Sequence, residues 1–284
     1  MKARRLGLLL PSSGTVQEVD FYRRVPSHVT VHAARMRLPT TTEADEVRML
    51  DAHVLPAAAD LATIRPDLVV FSCTSAGALR GREYEARLCR DIAVATGAPV
   101  VSTMEAVREE LARLGVRSVA VVTPYPETLT GPVRAGLEAA GLAVPVAGGL
   151  GLTDSLEIAA VPPDAIARFA IETFRRGPAE AVFVACCTFQ AFDARNAIAT
   201  ALGVPVVTSN QAALDAALRA LDGDGRCDAQ RVRHVGPHSP EPRPWQQRSR
   251  SRPRGRTGTG DRPVGGARPG DPRGSGDRGR RAAL

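Results

Sequence analysis

The chain has 284 residues, enough for two domains of modest size; 44% of them are hydrophobic and 4% aromatic. No apolar run approaches the ~20 residues of a membrane span, and Leu6–Leu10 is shorter than the ~7–15 apolar residues of a signal peptide. The five cysteines show no disulfide spacing, so we expect reduced thiols. These features predict a cytoplasmic protein without a membrane segment.

The formal net charge of +7 is concentrated near the carboxyl terminus. Fifteen of the 37 basic residues but only five of the 30 acidic residues lie in 226–284, so the remainder carries −3. We therefore expect no nucleic-acid binding by the folded core. The segment 223–284 is predicted to be a disordered Arg-, Pro- and Gly-rich tail, because it has little apolar surface to bury. A role at RNA or membrane surfaces, or an origin in a shifted reading frame, stays open for this tail.

Apolar segments rich in Val, Leu and Phe predict the following strands, in chain order: Arg5–Leu10, Thr30–Arg35, Leu68–Ser72, Val100–Ser102, Ser118–Val122, Ala181–Ala185 and Pro205–Thr208. Between them the sequence predicts these helices: Glu43–Arg65, Glu83–Thr96, Met104–Gly115, Leu129–Ala140, Pro163–Arg176, Asp193–Leu202 and Gln211–Leu221. Most of the strands lack polar alternation, which favours parallel sheets covered on both faces. The alternation of strands and helices predicts an α/β fold, with its site at the carboxyl ends of the strands.

Two pairs of segments indicate an internal duplication. LVVFSCTSAGAL at 68–79 matches AVFVACCTFQAF at 181–192, and both place Cys-Thr after an apolar strand. Farther along, 95–115 and 201–221 share Gly, Pro, Val-Val and Ala in register. We predict two similar α/β lobes, one formed by 1–105 with 208–222 and the other by 106–207.

Cys73 and Cys187 are the strongest candidates for chemistry. A thiol at a strand end that faces a helix N-terminus is expected to have a lowered pKa, and nearby backbone N–H groups can hold a carboxylate. Two copies in register favour this function over the packing of small buried thiols. We expect Cys73 to have the lower pKa, because the hydroxyls of Thr74 and Ser75 can hydrogen-bond a thiolate.

Other motifs predict no further chemistry. Cys186 would point to the opposite face of a strand from Cys187 and is interpreted as a packing residue. No Gly-rich phosphate loop and no Cys/His cluster with metal-ligand spacing occurs, so we expect neither a nucleotide nor a metal. The glycines at 148, 149 and 151 are interpreted as a flexible loop. Serine catalysis at Ser12 or Ser13 is disfavoured, since there is no GxSxG.

The opening GLLLPSSGTVQEVDFYR, the stretch HAARMRL, VPVVTSNQAALDAAL and the two Cys-Thr strand ends together resemble the aspartate/glutamate racemase superfamily. The branch they resemble most is maleate cis–trans isomerase, with arylmalonate decarboxylase as a sister. The resemblance spans roughly 5–222. It implies two pseudo-symmetric Rossmann-like lobes with parallel sheets, an active site between them, and no metal or organic cofactor.

The resemblance also implies roles for individual residues. Cys73 matches the nucleophile of the isomerases, and Cys187 matches the cysteine that donates a proton. The decarboxylases have Gly at the first of these positions, so Cys73 favours the isomerase branch. The remaining predicted substrate-binding residues are Ser13, Gly14, Thr74, Ser75, Tyr125, Ser155 and Thr188. Gly14 and Ser155 stand where the isomerases usually have Asn, which leaves the identity of the acid open.

The sequence therefore predicts a cofactor-independent isomerase of a small carboxylic acid that uses two cysteines. A racemase or epimerase, in which two thiols exchange a proton across one carbon, fits the same pattern. An arylmalonate-type decarboxylase and a non-catalytic binding protein of the same fold are further alternatives. Homo-oligomerisation is left open by the sequence.

Overall fold

The computed structural model describes residues 3–223 of the chain. The predicted disordered tail, apart from Gly223, lies outside the described residues. The strands are β1 Arg4–Pro11, β2 Val29–Met36, β3 Leu68–Phe71, β4 Val100–Ser102, β5 Ser118–Thr123, β6 Ala143–Gly149, β7 Ala181–Val184 and β8 Val206–Thr208. The helices are α1 Gln17–Arg24, α2 Glu43–Ala52, α3 Val54–Ala62, α4 Thr74–Leu79, α5 Gly81–Thr96, α6 Thr103–Arg113, α7 Glu127–Glu138, α8 Ser155–Ala160, α9 Pro163–Phe174, α10 Ala191–Leu202 and α11 Ser209–Asp222.

The strands form two four-stranded parallel sheets, which confirms the predicted two-lobed α/β fold. Their orders are β2-β1-β3-β4 and β6-β5-β7-β8. The orders are equivalent, since each lobe has its first strand beside its second and third. All residues of β3 and β7 are buried, because helices cover both faces of each sheet.

The helix ends repeat between the lobes as well. Gly97 and Gly203 end α5 and α10 in the left-handed conformation, each with φ of 68°. Ser102 and Thr208 cap the N-termini of α6 and α11 by accepting a backbone N–H with their hydroxyls. The repeated Gly-x-Pro-Val-Val pattern is therefore a helix end, a short strand and a capped helix start.

The last helix returns to the first lobe. Ala213, Leu214 and Ala217 of α11 are buried in the same hydrophobic cluster as Leu6 and Leu8 of β1. The lobe boundaries given above stay a prediction. No helix within residues 3–223 is long and apolar enough to cross a membrane.

Several elements differ from the sequence prediction. The predicted glycine loop is wrong at Gly148 and Gly149, because these residues end β6, an edge strand that was not predicted. A β-carbon at Gly149 would overlap the carbonyl oxygen of Tyr125, so only glycine fits. The predicted helix Glu43–Arg65 is interrupted at His53, which separates α2 from α3. Helices α1 and α8 were not predicted.

Candidate active site

The two candidate thiols lie at the carboxyl ends of equivalent strands. Cys73 follows β3 and is the N-cap residue of α4, and Cys187 follows β7. Only 4% of Cys73 and 6% of Cys187 is exposed. The Oγ1 atom of Thr74 lies 3.5 Å from the Sγ atom of Cys187, so a residue beside one cysteine contacts the other. The duplicated segments thus bring their cysteines to one place.

A cavity of about 20 Å³ lies between these segments. It is lined by Pro11, Leu38, Thr41, Glu46, Ser72, Cys73, Thr74, Ser75, Tyr125, Ser155, Cys186, Cys187 and Thr188. All predicted site residues other than Ser13 and Gly14 are in this lining. Ser13 and Gly14 are one contact away: the Ser13 hydroxyl lies 2.9 Å from that of Ser155, and a β-carbon on Gly14 would lie 3.2 Å from Oγ1 of Thr188.

Hydroxyl groups from both lobes meet over the cavity. The Oγ atom of Ser155 lies 2.9 Å from Oγ of Ser13 and 3.1 Å from Oγ1 of Thr41. The backbone N–H of Thr41 also donates to the carbonyl of Thr153 at 2.7 Å. Ser13 and Thr41 belong to the first lobe, and Thr153 and Ser155 to the second. These bonds, which we call the cover, join the lobes on one side of the cavity.

The N-terminus of α11 holds both cysteine segments. The Ser209 hydroxyl oxygen accepts hydrogen bonds from the Thr74 hydroxyl at 2.9 Å and from the Cys186 N–H at 3.0 Å. The Asn210 side-chain amide donates to the Cys187 carbonyl at 3.1 Å and to the Asp20 carboxylate at 2.7 Å. Neither residue was predicted for the site, although both directly follow β8, the second copy of the repeated Val-Val strand.

Cys186 lines the cavity together with Cys187, so the prediction that it points to the opposite face is wrong. It is also a packing residue, as predicted, because it is buried in the hydrophobic core around β5 and β7. Strand β7 ends at Val184, and Cys186 has φ of 102°, which is rare and strained for a residue with a side chain. The alternation of a strand therefore does not apply. Burial raises the pKa of Cys186 to about 12, opposed by a hydrogen bond with the side chain of Tyr125, which is itself buried.

Residues 7–232 match the family model described as arylmalonate decarboxylase. The chain belongs to this family. It is 27% identical over 232 residues to maleate isomerase from Geobacillus stearothermophilus, which covers 77% of this chain and 92% of the relative. The predicted resemblance to the maleate isomerase and arylmalonate decarboxylase branch is thereby confirmed.

Solved structures of the arylmalonate decarboxylase family share the fold. A cysteine-to-serine mutant of Nocardia farcinica maleate cis–trans isomerase, with a covalently bound succinylcysteine intermediate, superposes with a TM-score of 0.71 at 26% identity. The superposition covers 78% of this chain and 93% of the Nocardia farcinica chain. A liganded arylmalonate decarboxylase in which glycine is replaced by cysteine, and cysteine by serine, gives a TM-score of 0.71 at 25% identity, covering 78% and 94%.

The pKa values of both thiols differ from the sequence expectation. Burial raises the pKa of Cys73 well above its ordinary value, and the neighbouring Glu46 and Cys187 raise it further. Burial also raises the pKa of Cys187, opposed by its hydrogen bonds with the hydroxyls of Thr74 and Thr103. The expected lowering is wrong because burial removes both thiols from solvent, which disfavours the thiolate. The predicted order of the two thiol pKa values stays a prediction.

Glu46 is a cavity residue that sequence reasoning missed. It lies in α2 on the same face as the buried residues Met49 and Leu50, and none of its surface is exposed. Its Oε1 atom accepts a hydrogen bond from the Ser75 hydroxyl, whose oxygen lies 3.9 Å from the Cys73 sulfur. A carboxylate at helical spacing from apolar residues was the available signal.

Proposed function

We propose that the chain is a cysteine-based cis–trans isomerase of a small unsaturated dicarboxylic acid, of which maleate is the first to test. The observation that carries this proposal is the pair of buried thiols, Cys73 and Cys187, at equivalent strand ends around one cavity. The relatives named maleate isomerase support the choice of substrate class. A nucleophile and a proton donor on two adjacent carbons are what such an isomerisation requires.

The reaction begins with a bond from Cys73 to carbon. Its thiol proton is first released to solvent, and the thiolate sulfur adds to one alkene carbon. The electron pair of the double bond moves to the other carbon and its carboxylate, giving an enediolate. Cys187 then donates its thiol proton to that carbon, so the adduct is a thioether of succinate on Cys73.

Rotation about the carbon–carbon bond that was double in the substrate precedes the reverse steps. The Cys187 thiolate takes a proton back from the carbon, the double bond forms again in the trans geometry, and the Cys73 thiolate leaves. No atom is gained or lost over the cycle. Because these two thiols supply both nucleophile and acid, the proposed reaction uses neither a metal nor an organic cofactor.

Hydrogen-bond donors rather than cations would hold the carboxylates. Among the described residues that line the cavity there is no Lys, Arg or His. The hydroxyls of Tyr125, Ser155 and Thr188 are the available donors, and preorganised donors of this kind stabilise developing enediolate charge. We therefore expect the site to select small acids over bulky ones, because the cavity is small and few hydrogen-bond donors line it.

The cover must open for a substrate to enter. A cavity of about 20 Å³ holds roughly one water molecule, and a four-carbon dicarboxylate is several times larger. The hydrogen bonds of Ser155 to Ser13 and Thr41, and of Thr41 to Thr153, bridge the lobes at this point. We propose that they break on entry and that Ser155 then turns toward the substrate.

A decarboxylase is the second candidate, favoured by the description of the family. In that reaction a single thiol protonates the carbanion left by loss of CO₂ from an arylmalonate, so Cys73 would have no part. Cys73 stands where the decarboxylases have glycine, and it argues for the isomerase.

Incubation of the purified protein with maleate, phenylmalonate and amino acids in deuterated water, followed by proton NMR, tests the proposal. We expect fumarate from maleate, and loss of this product in Cys73→Ser. Cys89→Ser is the matched control, since Cys89 lies on α5 outside the cavity lining. Loss of CO₂ from phenylmalonate, or deuterium exchange at the α-carbon of an amino acid, in place of fumarate formation would overturn it.

The proposal also covers the cellular location. Two catalytic thiols have to stay reduced, and the cytoplasm provides this condition. Homo-oligomerisation stays a prediction.

A further inference from the structure

Glu46 carries a buried oxygen for which the protein provides no partner. Its Oε1 atom accepts the Ser75 hydroxyl, but Oε2 is fully buried and has no hydrogen-bond partner among the described residues. The side chain lines the same cavity as Cys73 and Cys187. An unpartnered polar atom in a buried cavity costs free energy, so its retention points to a ligand.

Within residues 3–223, the surroundings of Glu46 contain no compensating positive charge. The titratable side chains that face it across the cavity are Cys73, Tyr125, Cys186 and Cys187. On its own helix Asp45 pairs with Arg48 at the surface. Helix α4 carries no titratable side chain, and α3 carries the exposed Asp60.

This environment keeps the carboxyl group neutral. Burial raises the pKa of Glu46 from 4.5 to about 8, opposed only by the hydrogen bond from Ser75. At pH 7 the group is then predominantly a carboxylic acid. With Oε1 occupied as an acceptor, the proton resides on Oε2, which becomes a hydrogen-bond donor.

A neutral donor suits a cavity that receives anions. An ionised Glu46 would repel a substrate carboxylate at close range in a low-dielectric site, whereas a carboxylic acid donates to it through a short hydrogen bond. We propose that Glu46 is a specificity-determining residue which, as a neutral acid, donates a hydrogen bond from Oε2 to a substrate carboxylate. This inference rests on the proposed function, since it assigns the partner of one carboxylate in that same site.

The rival reading makes Glu46 an anion that pairs with a substrate ammonium group, as in an amino acid. The two readings differ in the effect of Glu46→Gln. The amide keeps an N–H donor of similar shape but has no charge at any pH. It therefore preserves a donor to a carboxylate and removes a partner for a cation.

Binding of maleate across pH distinguishes them. We use Cys73→Ser as the parent, because it does not turn over and its residue 73 does not titrate, and compare it with Cys73→Ser/Glu46→Gln by calorimetry from pH 6 to 9.5. We expect the affinity of the parent to fall above pH 8, by up to about tenfold per pH unit, because one proton is needed for binding. In the double variant we expect this fall to be absent.

A second buried glutamate provides the matched control. Glu85 is also buried, but it is ion-paired with Arg108 and lies outside the cavity lining. We expect Cys73→Ser/Glu85→Gln to keep the pH dependence of its parent. Equal pH dependence with and without Glu46, or tighter binding as Glu46 ionises, would overturn the inference, as would amino-acid binding that Glu46→Gln abolishes.

Infrared spectroscopy separates this inference from the proposed function. A protonated carboxylic acid gives a C=O stretch that a carboxylate lacks. We expect this band at pH 7 in the wild-type protein, its loss as pH rises through 8, and its absence in Glu46→Gln. If maleate binds to none of the variants, the proposed substrate is wrong, and the infrared band alone decides about Glu46. Presence of the band at pH 7 upholds Glu46 as a neutral donor to another acid. Absence of the band overturns the inference.

Discussion

Cys73 and Cys187 each follow the third strand of a four-stranded parallel sheet, yet the chain leaves the two strands differently. After β3 the helix α4 begins at once, with Cys73 as its N-cap. After β7 the chain bends through Cys186 at positive φ, and α10 begins only at Ala191. Duplication has preserved the positions of the thiols but not the backbone that presents them.

The surroundings of the two thiols differ as well. Cys73 has the buried carboxyl of Glu46 nearby, and Cys187 has the hydroxyls of Thr74 and Thr103 at 3.5 and 4.0 Å. A symmetric frame thus supports two chemically distinct sulfur atoms. An addition–protonation mechanism needs two distinct thiols, since one sulfur acts as nucleophile while the other carries a proton. Glu46 raises the pKa of Cys73, so the surroundings of the proposed nucleophile do not themselves favour its thiolate.

Replacing either thiol should have the largest effect. We expect Cys73→Ser and Cys187→Ser each to lower kcat/KM for maleate by about 1,000-fold or more, because a serine hydroxyl is a far poorer nucleophile and acid near neutral pH. Steady-state kinetics measure this loss, and thermal unfolding shows whether each variant keeps its fold. Cys89→Ser should keep normal activity. If either cavity variant retained most of the activity, the two-thiol account would fail.

Glu46, which lies on the Cys73 side of the cavity, should make the stability of the protein depend on pH. Its folded-state pKa of about 8 exceeds the ordinary 4.5, so ionisation opposes folding and stability falls as pH rises between these values. Compared with a glutamate whose pKa stays at 4.5 on folding, Glu46 lowers the free energy of unfolding at pH 7 by about 3 kcal/mol. We therefore expect the stability of Glu46→Gln, relative to wild type, to increase from pH 5 to pH 8 in urea unfolding. A constant difference over this range would contradict the assignment.

Asn210 should matter for the Cys187 side only. Asn210→Ala removes the donor to the Cys187 carbonyl and leaves the buried carboxylate of Asp20 with Arg24 alone. We expect a loss of about 1–3 kcal/mol in the free energy of unfolding and a fall in kcat of about tenfold. Alkylation of Cys73 in this variant should proceed at the wild-type rate, and a changed rate would argue against local action.

The cover should show the smallest effect. Ser155→Ala removes hydroxyl contacts to Ser13 and Thr41, each worth about 1 kcal/mol. Because these bonds compete with substrate entry, we expect kcat/KM for maleate to change by only a few-fold. The rates at which iodoacetamide labels Cys73 and Cys187 should rise, since the cavity opens more readily. Unchanged labelling would show that entry uses another route.

Local sequence was enough to predict the duplicated frame. Gly97, Gly203 and the capping residues Ser102 and Thr208 act through interactions with their own neighbours, so their patterns carry over directly to the structure. The break before α3 was also available from the sequence, because Pro56 lies in the first turn of α3 and disfavours the continuous helix predicted for Glu43–Arg65.

The missed features depend on contacts between distant segments. Strand β6 lies at a sheet edge, is half exposed and contains Pro145 and two glycines, so it lacks the pattern of a buried strand. The positive φ of Cys186 and the neutral Glu46 are imposed by the assembled cavity. Desolvation there outweighs the helix N-terminus on which the predicted thiolate pKa rested.

The most direct test of the distinct roles is mass spectrometry of Cys187→Ser after incubation with maleate. We expect a covalent succinyl adduct on the peptide that contains Cys73. The Cys73 thiolate can add to the alkene and the enediolate can take its proton from water, while the thiolate that would remove this proton again is missing. Cys73→Ser should give no adduct on Cys187 under the same conditions. An adduct on Cys187 in Cys73→Ser, with none on Cys73 in Cys187→Ser, would contradict the assignment of nucleophile and acid.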